Sequence, residues 1–449
     1  MTNLTVEISK YLMIFFVAIY TYECFAVFRR NLSSKKKNRI FIRQQLLIYL
    51  IHLDAFLVIY TVTDQAEMIG FYFLQILLII AVQGACMLIY KNSSRLLTNN
   101  MCMLLVTGFI MLTRLSYRSA VKQYAIAVIA SVLTIIIPFL VQKITFLRKL
   151  TWVYAAVGIL GLLAVLIFGD TSYGAKISIS IAGISVQPSE FIKIIFVFFV
   201  ACMLYQSADL KRVCITTAVA AAYVLILVFS RDLGGALIFF VTYIVMLYVA
   251  TGKLYYFAGG LLSGSIAAVI AYQLFAHVRV RVLAWSNPLS VIDNEGYQIT
   301  QSLFAIGTGG WFGMGLYQGM PNKIPVVEQD FIFSAISEEL GGIFALCILM
   351  ICVSCFLMFL NVAMQMKDRF YKLVALGLGT VYGFQVFLTV GGVTKFIPST
   401  GVTLPLVSYG GSSLLATMVM FFIIQGLYIL RQNKGETNGR EKKKVKRKS

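Results

Sequence analysis

The chain is a succession of apolar runs, each long enough to cross a bilayer, separated by short polar loops. They fall at approximately 10–28, 41–62, 69–90, 99–115, 121–141, 150–168, 188–206, 213–229, 233–250, 254–276, 340–360, 373–393 and 408–430. A soluble domain cannot bury the surface of 449 residues that are 59% hydrophobic and 12% charged. The expected fold is therefore an all-α polytopic membrane protein with thirteen spans. No small-residue cleavage site follows the run Tyr11 to Phe28, which reads as a retained span rather than a signal peptide.

The formal charge of +20 invites a nucleic-acid partner, but its distribution argues against one. Basic residues gather at Arg29 to Arg43, Lys91 to Arg95, Lys143 to Lys149, Lys211-Arg212, Lys367 to Lys372 and the tail. Less basic loops alternate with them, as the positive-inside rule expects. The N-terminus then lies outside and residues 432–449 form a basic cytoplasmic tail, expected to be disordered and able to touch anionic lipid. Arg114 to Lys122 breaks the trend as a basic outside segment, read as a site that meets an anion. All eight cysteines lie in or beside apolar runs and read as ordinary thiols; Cys352-x-x-Cys355 has no His or Cys partner nearby. With only His52 and His277 present, neither a histidine metal site nor a Ser-His triad is supported.

Residues 277–339 form a large outside loop rich in glycine, expected to mix short helices with re-entrant or surface segments. It ends in Val326-Val327-Glu328-Gln329-Asp330-Phe331-Ile332-Phe333-Ser334, acids set among apolar residues at the mouth of a helix bearing Glu338 and Glu339. Such carboxylates are costly to desolvate and point to a polar substrate. If 330–340 is helical, Ser334 and Ser337 share the face of Asp330 with Glu338 close by; a simple helix-start acid is the alternative. In Gln187-Pro188-Ser189-Glu190-Phe191-Ile192-Lys193, Pro188 suits a first helical turn, and Glu190 and Lys193 face a cavity or each other. Asp232 caps a helix or lines the same cavity. Arg279, Arg281 and Lys395 are cations that either hold a phosphate or diphosphate or simply snorkel. Ser408 to Ser413 opens the last span with polar, small residues.

Together these segments resemble the SEDS family of shape, elongation, division and sporulation proteins, which includes RodA, FtsW and SpoVE. The resemblance runs from about Met101 to Arg431. It is carried by Gln187-Pro188-Ser189-Glu190-x-x-Lys193, Asp232-Leu233-Gly234-Gly235, Asn287-Pro288, Gly296-Tyr297-Gln298, Gln301-Ser302 and Gly307 to Gly315. Further on come Asp330-Phe331-Ile332-Phe333, Glu338-Glu339-Leu340-Gly341, Pro398-Ser399-Thr400-Gly401 and Ser408 to Ser413. It implies a ten-helix core at 99–431, preceded by three additional spans within 1–98. It also implies a peptidoglycan glycosyltransferase of the bacterial cytoplasmic membrane, polymerising lipid II at the outer leaflet beside a class B penicillin-binding protein. The family's essential aspartate falls on Asp330, and the acid and base of its Pro-Ser-Glu motif on Glu190 and Lys193. Asp232, Arg281, Gln301, Ser302, Glu338, Lys395 and Ser408 are the further substrate-binding candidates.

Three local departures stand out. Ser178 occupies a tryptophan position in Gly174-Ala175-Lys176-Ile177-Ser178-Ile179. Arg231 replaces the proline before Asp232, and Glu328-Gln329 replaces His-Thr before Asp330.

Transfer of a sugar from a lipid diphosphate needs no general acid for the leaving group, so a single base, Asp330, can suffice. Lys193, Arg281 or a divalent cation (Mg²⁺ or Mn²⁺) would offset the leaving charge, although no metal ligand set is visible. The rival readings are a flippase or secondary transporter of lipid-linked precursors, and a catalytically silent scaffold for a penicillin-binding protein. A transporter favours midplane charges and internal repeats, whereas these acids sit at helix ends.

Overall fold

The computed structural model describes residues 2–29, 32–144, 146–172, 175–181 and 184–446. An N-terminal group comprises α1 (Thr2–Ala26), α2 (Ser34–Thr63) and α3 (Glu67–Ile89). Next come α4 (Arg95–Leu115), α5 (Tyr117–Thr134), α6 (Ile137–Lys143) and α7 (Thr151–Phe168). Strands β1 (Asp170–Ser172), β2 (Ala175–Ile181) and β3 (Ile184–Val186) lead into α8 (Pro188–Leu204), α9 (Leu210–Phe229), α10 (Leu233–Thr251) and α11 (Leu254–Leu274). Three shorter helices follow: α12 (Ala276–Ser286), α13 (Tyr297–Gly309) and α14 (Ile332–Leu340). The chain then runs through α15 (Gly342–Gln365), α16 (Arg369–Val393) and α17 (Gly411–Lys446).

Twelve helical segments are long and apolar enough to cross a membrane, with α5 and α6 forming one broken span. The 17-residue α8 is the remaining apolar run and brings the described set to the thirteen expected. The break between α5 and α6 falls just before Pro138, whose ring cannot follow a helical residue without strain. The chain is helical as expected except at β1–β3, a three-stranded antiparallel sheet pairing Asp170 with Ser178 and Ile179 with Val186. Its signal lies in the sequence: Ile177-Ser178-Ile179-Ser180-Ile181 alternates with period two.

Helix α4 is the least certain span by sequence, because Arg114 and Arg118 follow its apolar run closely, and it carries Thr98, Asn99, Asn100 and Thr107. In the fold it is the most enclosed, buried along nearly its whole length. Asn100 accepts from the Tyr20 hydroxyl at 3.0 Å and donates to Ser354 Oγ at 3.1 Å. Asn99 donates to Gln44 Oε1 and to the Phe41 carbonyl, both at 3.2 Å. Each such bond contributes about 0.6 kcal/mol in a membrane. They fasten α1 and α2 to α4 and α15, and residues of all three N-terminal helices share one apolar cluster with the rest. The boundary expected at residue 98 is thus not a gap in packing, and α4 starts at Arg95.

Two further expectations change. The tail continues α17 as helix to Lys446 rather than becoming disordered, since Lys, Arg and Glu propagate a helix already nucleated by the span. Residues 447–449 lie outside the described residues. The basic stretch Arg114 to Lys122 does meet an anion, but an internal one: Arg114, in the last turn of α4, pairs with Glu339.

The segment 277–339 holds α12, α13 and α14 with two short 3₁₀ turns, Pro288–Val291 and Pro321–Lys323. Helix α14 is buried at every residue. Its C-terminal end is crossed so closely by the preceding loop that a Cβ on Gly313 would lie 2.4 Å from the Glu339 carbonyl oxygen; φ there is +78°. Glycine alone tolerates both the contact and the dihedral. The α9–α10 turn, α12, the approach to α14 and the α16–α17 loop meet at one end of the bundle, where the site lies.

Candidate active site

The meeting point encloses a cavity of about 320 Å³ walled by Asp232, Asp330, Arg231, Arg281, Trp285 and Glu295, among others. Asp330 sits in the turn before α14, which begins only at Ile332. The expected stripe of Asp330, Ser334 and Ser337 therefore does not form. Ser334 Oγ instead lies 2.6 Å from Ser302 Oγ, which bonds the Val393 carbonyl at 2.8 Å. Ser337 Oγ donates to the Phe333 carbonyl at 2.9 Å, a helix-internal bond.

Asp330 is reachable from the cavity yet closely surrounded by protein. Burial raises its pKa to about 6, against opposing pulls from its own backbone N–H and the Arg281 charge. Asp232 is raised by burial too, with the Gly235 N–H and Arg281 working against it and Glu190 with it. Arg281 faces both aspartates, and its Nη1 donates to the Ser399 carbonyl at 3.3 Å. Two carboxylates with raised pKa values and two arginines thus share a single concave wall, the pattern of a site rather than of a core.

The position of Asp232 follows from a tight turn. Helix α9 ends in a left-handed Arg231 (φ 63°), with Arg231 N bonded to the Val228 carbonyl and Asp232 N to the Leu227 carbonyl. That is a Schellman closure. Asp232 immediately caps α10, accepting from Gly235 N at 2.8 Å. One turn thereby ends one helix, starts the next and fixes the carboxylate at the cavity.

A smaller cavity of about 40 Å³ adjoins, sharing Gln187, Asp232 and Gly401 with the first and walled by Glu190 and Lys193. Lys193 Nζ lies 2.7 Å from Glu190 Oε2 and 2.7 Å from Gln385 Oε1. The pair is mutually satisfied and faces a cavity as well. Ser189 Oγ, 3.5 Å from Asp232 Oδ2, links this layer to the larger pocket.

The other candidates lie apart from both cavities. Gln301 is half-buried on α13, and Ser302 ties α13 to α14 and α16. Glu338 Oε1 accepts from Met320 N at 2.9 Å. Lys395 contributes its carbonyl, which takes the Trp285 Nε1 hydrogen at 3.1 Å and so steadies a pocket wall. Ser408 Oγ accepts from Leu404 N at 2.9 Å within the loop before α17.

Of the departures, Gly174 lies outside the described residues. Ser178 follows Ile177, which lines the pocket, so strand alternation turns Ser178 to the opposite face. Glu328 accepts from Ser119 Oγ at 3.2 Å while Gln329 reaches the pocket. Trp285 and Glu295 escaped the sequence reading. Their signals were an indole closing the Arg279–Arg281 segment and an acid beside Gly296-Tyr297-Gln298.

Among the described residues no three His, Cys, Asp or Glu side chains converge as a metal cage. Asp232 and Asp330 on one wall suit instead an ion held by one or two carboxylates plus phosphate oxygens and water, the habit of Mg²⁺.

The fold and site define a multi-pass helical membrane protein with an acidic and basic pocket at one end of its bundle. Residues 94–433 match the family described as cell cycle protein, the FtsW, RodA and SpoVE family, and the chain belongs to it. It is accordingly a multi-pass protein of the cytoplasmic membrane. Over 267 residues it is 39% identical to the peptidoglycan glycosyltransferase RodA of Mycobacterium tuberculosis, covering 56% of this chain and 57% of that one. The chain thus matches little more than half the length of that relative. It is 32% identical over 292 residues to stage V sporulation protein E of Bacillus subtilis, covering 62% of this chain and 80% of that protein. Its fold is similar to a chain of a peptidoglycan synthase complex (TM-score 0.64, 24% identity, 76% of this chain and 98% of that one). Thermus thermophilus RodA is also similar (TM-score 0.54, 23% identity, 76% and 97%).

Proposed function

We propose that this protein polymerises lipid II into glycan strands, with Asp330 as the base. The carrying observation is a carboxylate with a pKa of about 6 on the wall of a 320 Å³ pocket that also presents Arg281 and Asp232. Asp330 takes the proton of the acceptor sugar's 4-hydroxyl, whose oxygen bonds to the anomeric carbon of the donor. The bond from that carbon to the diphosphate oxygen breaks, and the diphosphate leaves with the electron pair and needs no proton. Arg281 meets the charge developing on it. Lys193, fixed by Glu190 and Gln385, lines the smaller cavity that shares Asp232 with the larger one. Mg²⁺ or Mn²⁺ at Asp232 would add Lewis-acid charge neutralisation and leave Asp330 free to act as the base. The relatives named as peptidoglycan glycosyltransferases support this reading.

With the basic loops inside, the pocket opens to the outer leaflet, the N-terminus lies outside and the C-terminus in the cytoplasm. There both polyprenyl-anchored substrates can enter without leaving the bilayer. Similarity to a chain of a synthase complex that couples polymerisation to crosslinking supports a class B penicillin-binding protein as partner. Polymerisation of labelled lipid II by the purified protein, with that partner and with or without Mg²⁺ or Mn²⁺, tests the reading. Inactivity of wild type under all these conditions would favour a scaffold or a transporter.

A further inference from the structure

The conformation of Arg231 is sterically unfavourable for any residue with a Cβ, and glycine would hold it without strain. Proline, which the family resemblance places at this position, is fixed near φ −65° and cannot adopt φ 63° at all. The chain therefore keeps a long cation where the backbone itself would favour a different residue. That residue lines the larger pocket. Its charge and that of Arg281 both bear on His277, so the two guanidinium groups belong to one region of the pocket rim.

Charge balance gives this cation a task. Arg281 already faces both Asp232 and Asp330, and Glu295 adds a third acid to the wall. Lys193 is engaged by Glu190 and Gln385 in the smaller cavity. With Arg281 alone the larger pocket would carry an excess of negative charge and repel an incoming diphosphate. A second guanidinium halves that excess and supplies a planar fork of donors suited to phosphate oxygens.

We propose that Arg231 is a substrate-binding residue that, with Arg281, forms a two-cation clamp for the diphosphate of the lipid-linked donor. This rests on the polymerase reading of the same pocket. The Schellman closure sets the side chain's starting point, so the turn that positions Asp232 also positions the clamp.

The test is titration of the purified full chain in detergent with undecaprenyl diphosphate, undecaprenyl monophosphate and lipid II. Tryptophan fluorescence is the readout, since Trp285 lies in the pocket wall. Arg231→Gly keeps the left-handed turn and removes the charge; Arg231→Lys keeps a charge. Arg231→Gly is expected to bind the diphosphate about tenfold more weakly while melting no lower than wild type. Arg231→Lys should recover most of the affinity, and the preference for diphosphate over monophosphate should shrink in Arg231→Gly. In polymerisation assays the loss should appear in the KM for lipid II more than in kcat.

Diphosphate binding by Arg231→Gly within twofold of wild type would overturn the clamp. So would weakened binding of lipid II alone, which would move the contact to a carboxylate of the stem peptide. A wild type that binds diphosphate through Arg231 but makes no polymer would contradict the polymerase reading and leave the clamp standing.

Discussion

Arg114 and Glu339, 225 residues apart in the chain, form a buried ion pair with 2.9 Å between guanidinium nitrogen and carboxylate oxygen. The guanidinium also stacks 4.4 Å from the Tyr317 ring centre and donates to the Gly319 carbonyl. One cation thus ties α4, the glycine-rich loop and the C-terminal end of α14, the helix that opens just after Asp330.

Breaking this pair from one side should be costly. Arg114→Met leaves a buried carboxylate without its partner and is expected to cost about 3 kcal/mol. Arg114→Met with Glu339→Leu should regain most of that, as measured by thermal unfolding in detergent. Burial raises Glu339 to about 7 even beside Arg114. A carboxyl with a raised folded-state pKa favours folding when protonated, and that contribution fades as pH rises through the folded pKa. The Arg114→Met deficit should therefore be smallest in acid and grow as pH rises past 7.

A base must be ionised to act. With Asp330 at about 6, kcat/KM should fall about tenfold per pH unit below that value and level off above it. A profile flat between pH 5 and 7 would remove Asp330 from proton transfer.

Lys193 is 2% exposed and bonded to two partners. Lys193→Met leaves Glu190 uncompensated and should cost about 3 kcal/mol. Combining it with Glu190→Gln should restore folding but not polymerisation, which separates stability from the role of the Lys193 charge in the smaller cavity.

The N-terminal helices should be indispensable to packing. A chain starting at residue 94 exposes Asn99 and Asn100 to lipid without Gln44 and Tyr20. It should aggregate or melt early in detergent, and Asn99→Leu with Asn100→Leu should improve the truncated chain while destabilising the intact one. Equal stability of all four proteins would contradict this.

Much of this was legible in the sequence, and the limits have physical causes. Hydrophobic length locates spans because the bilayer core has a fixed thickness, and the Glu190–Lys193 spacing and the Asp232 cap follow from local helix geometry. Hydropathy located α4 as a span but could not show its enclosure, since a helix enclosed by other helices can carry asparagines that a lipid-facing one cannot. The Asp330–Ser334–Ser337 stripe failed because the helix starts two residues after Asp330, and helix starts are set by the preceding loop. The Arg114 partner was hidden because sequence distance says nothing about which loop folds over which span. Arg231 appeared in sequence only as a mismatch; its meaning depends on a dihedral angle.

The most direct measurement is polymerisation of labelled lipid II by wild type and Asp330→Asn, each with a class B penicillin-binding protein and Mg²⁺ or Mn²⁺ added. Since the buried carboxylate prefers to be neutral, Asp330→Asn should fold at least as stably as wild type at pH 7. Glycan strands from wild type and none from a well-folded Asp330→Asn are the expected result. Equal polymer from both would contradict the account of Asp330 as the base.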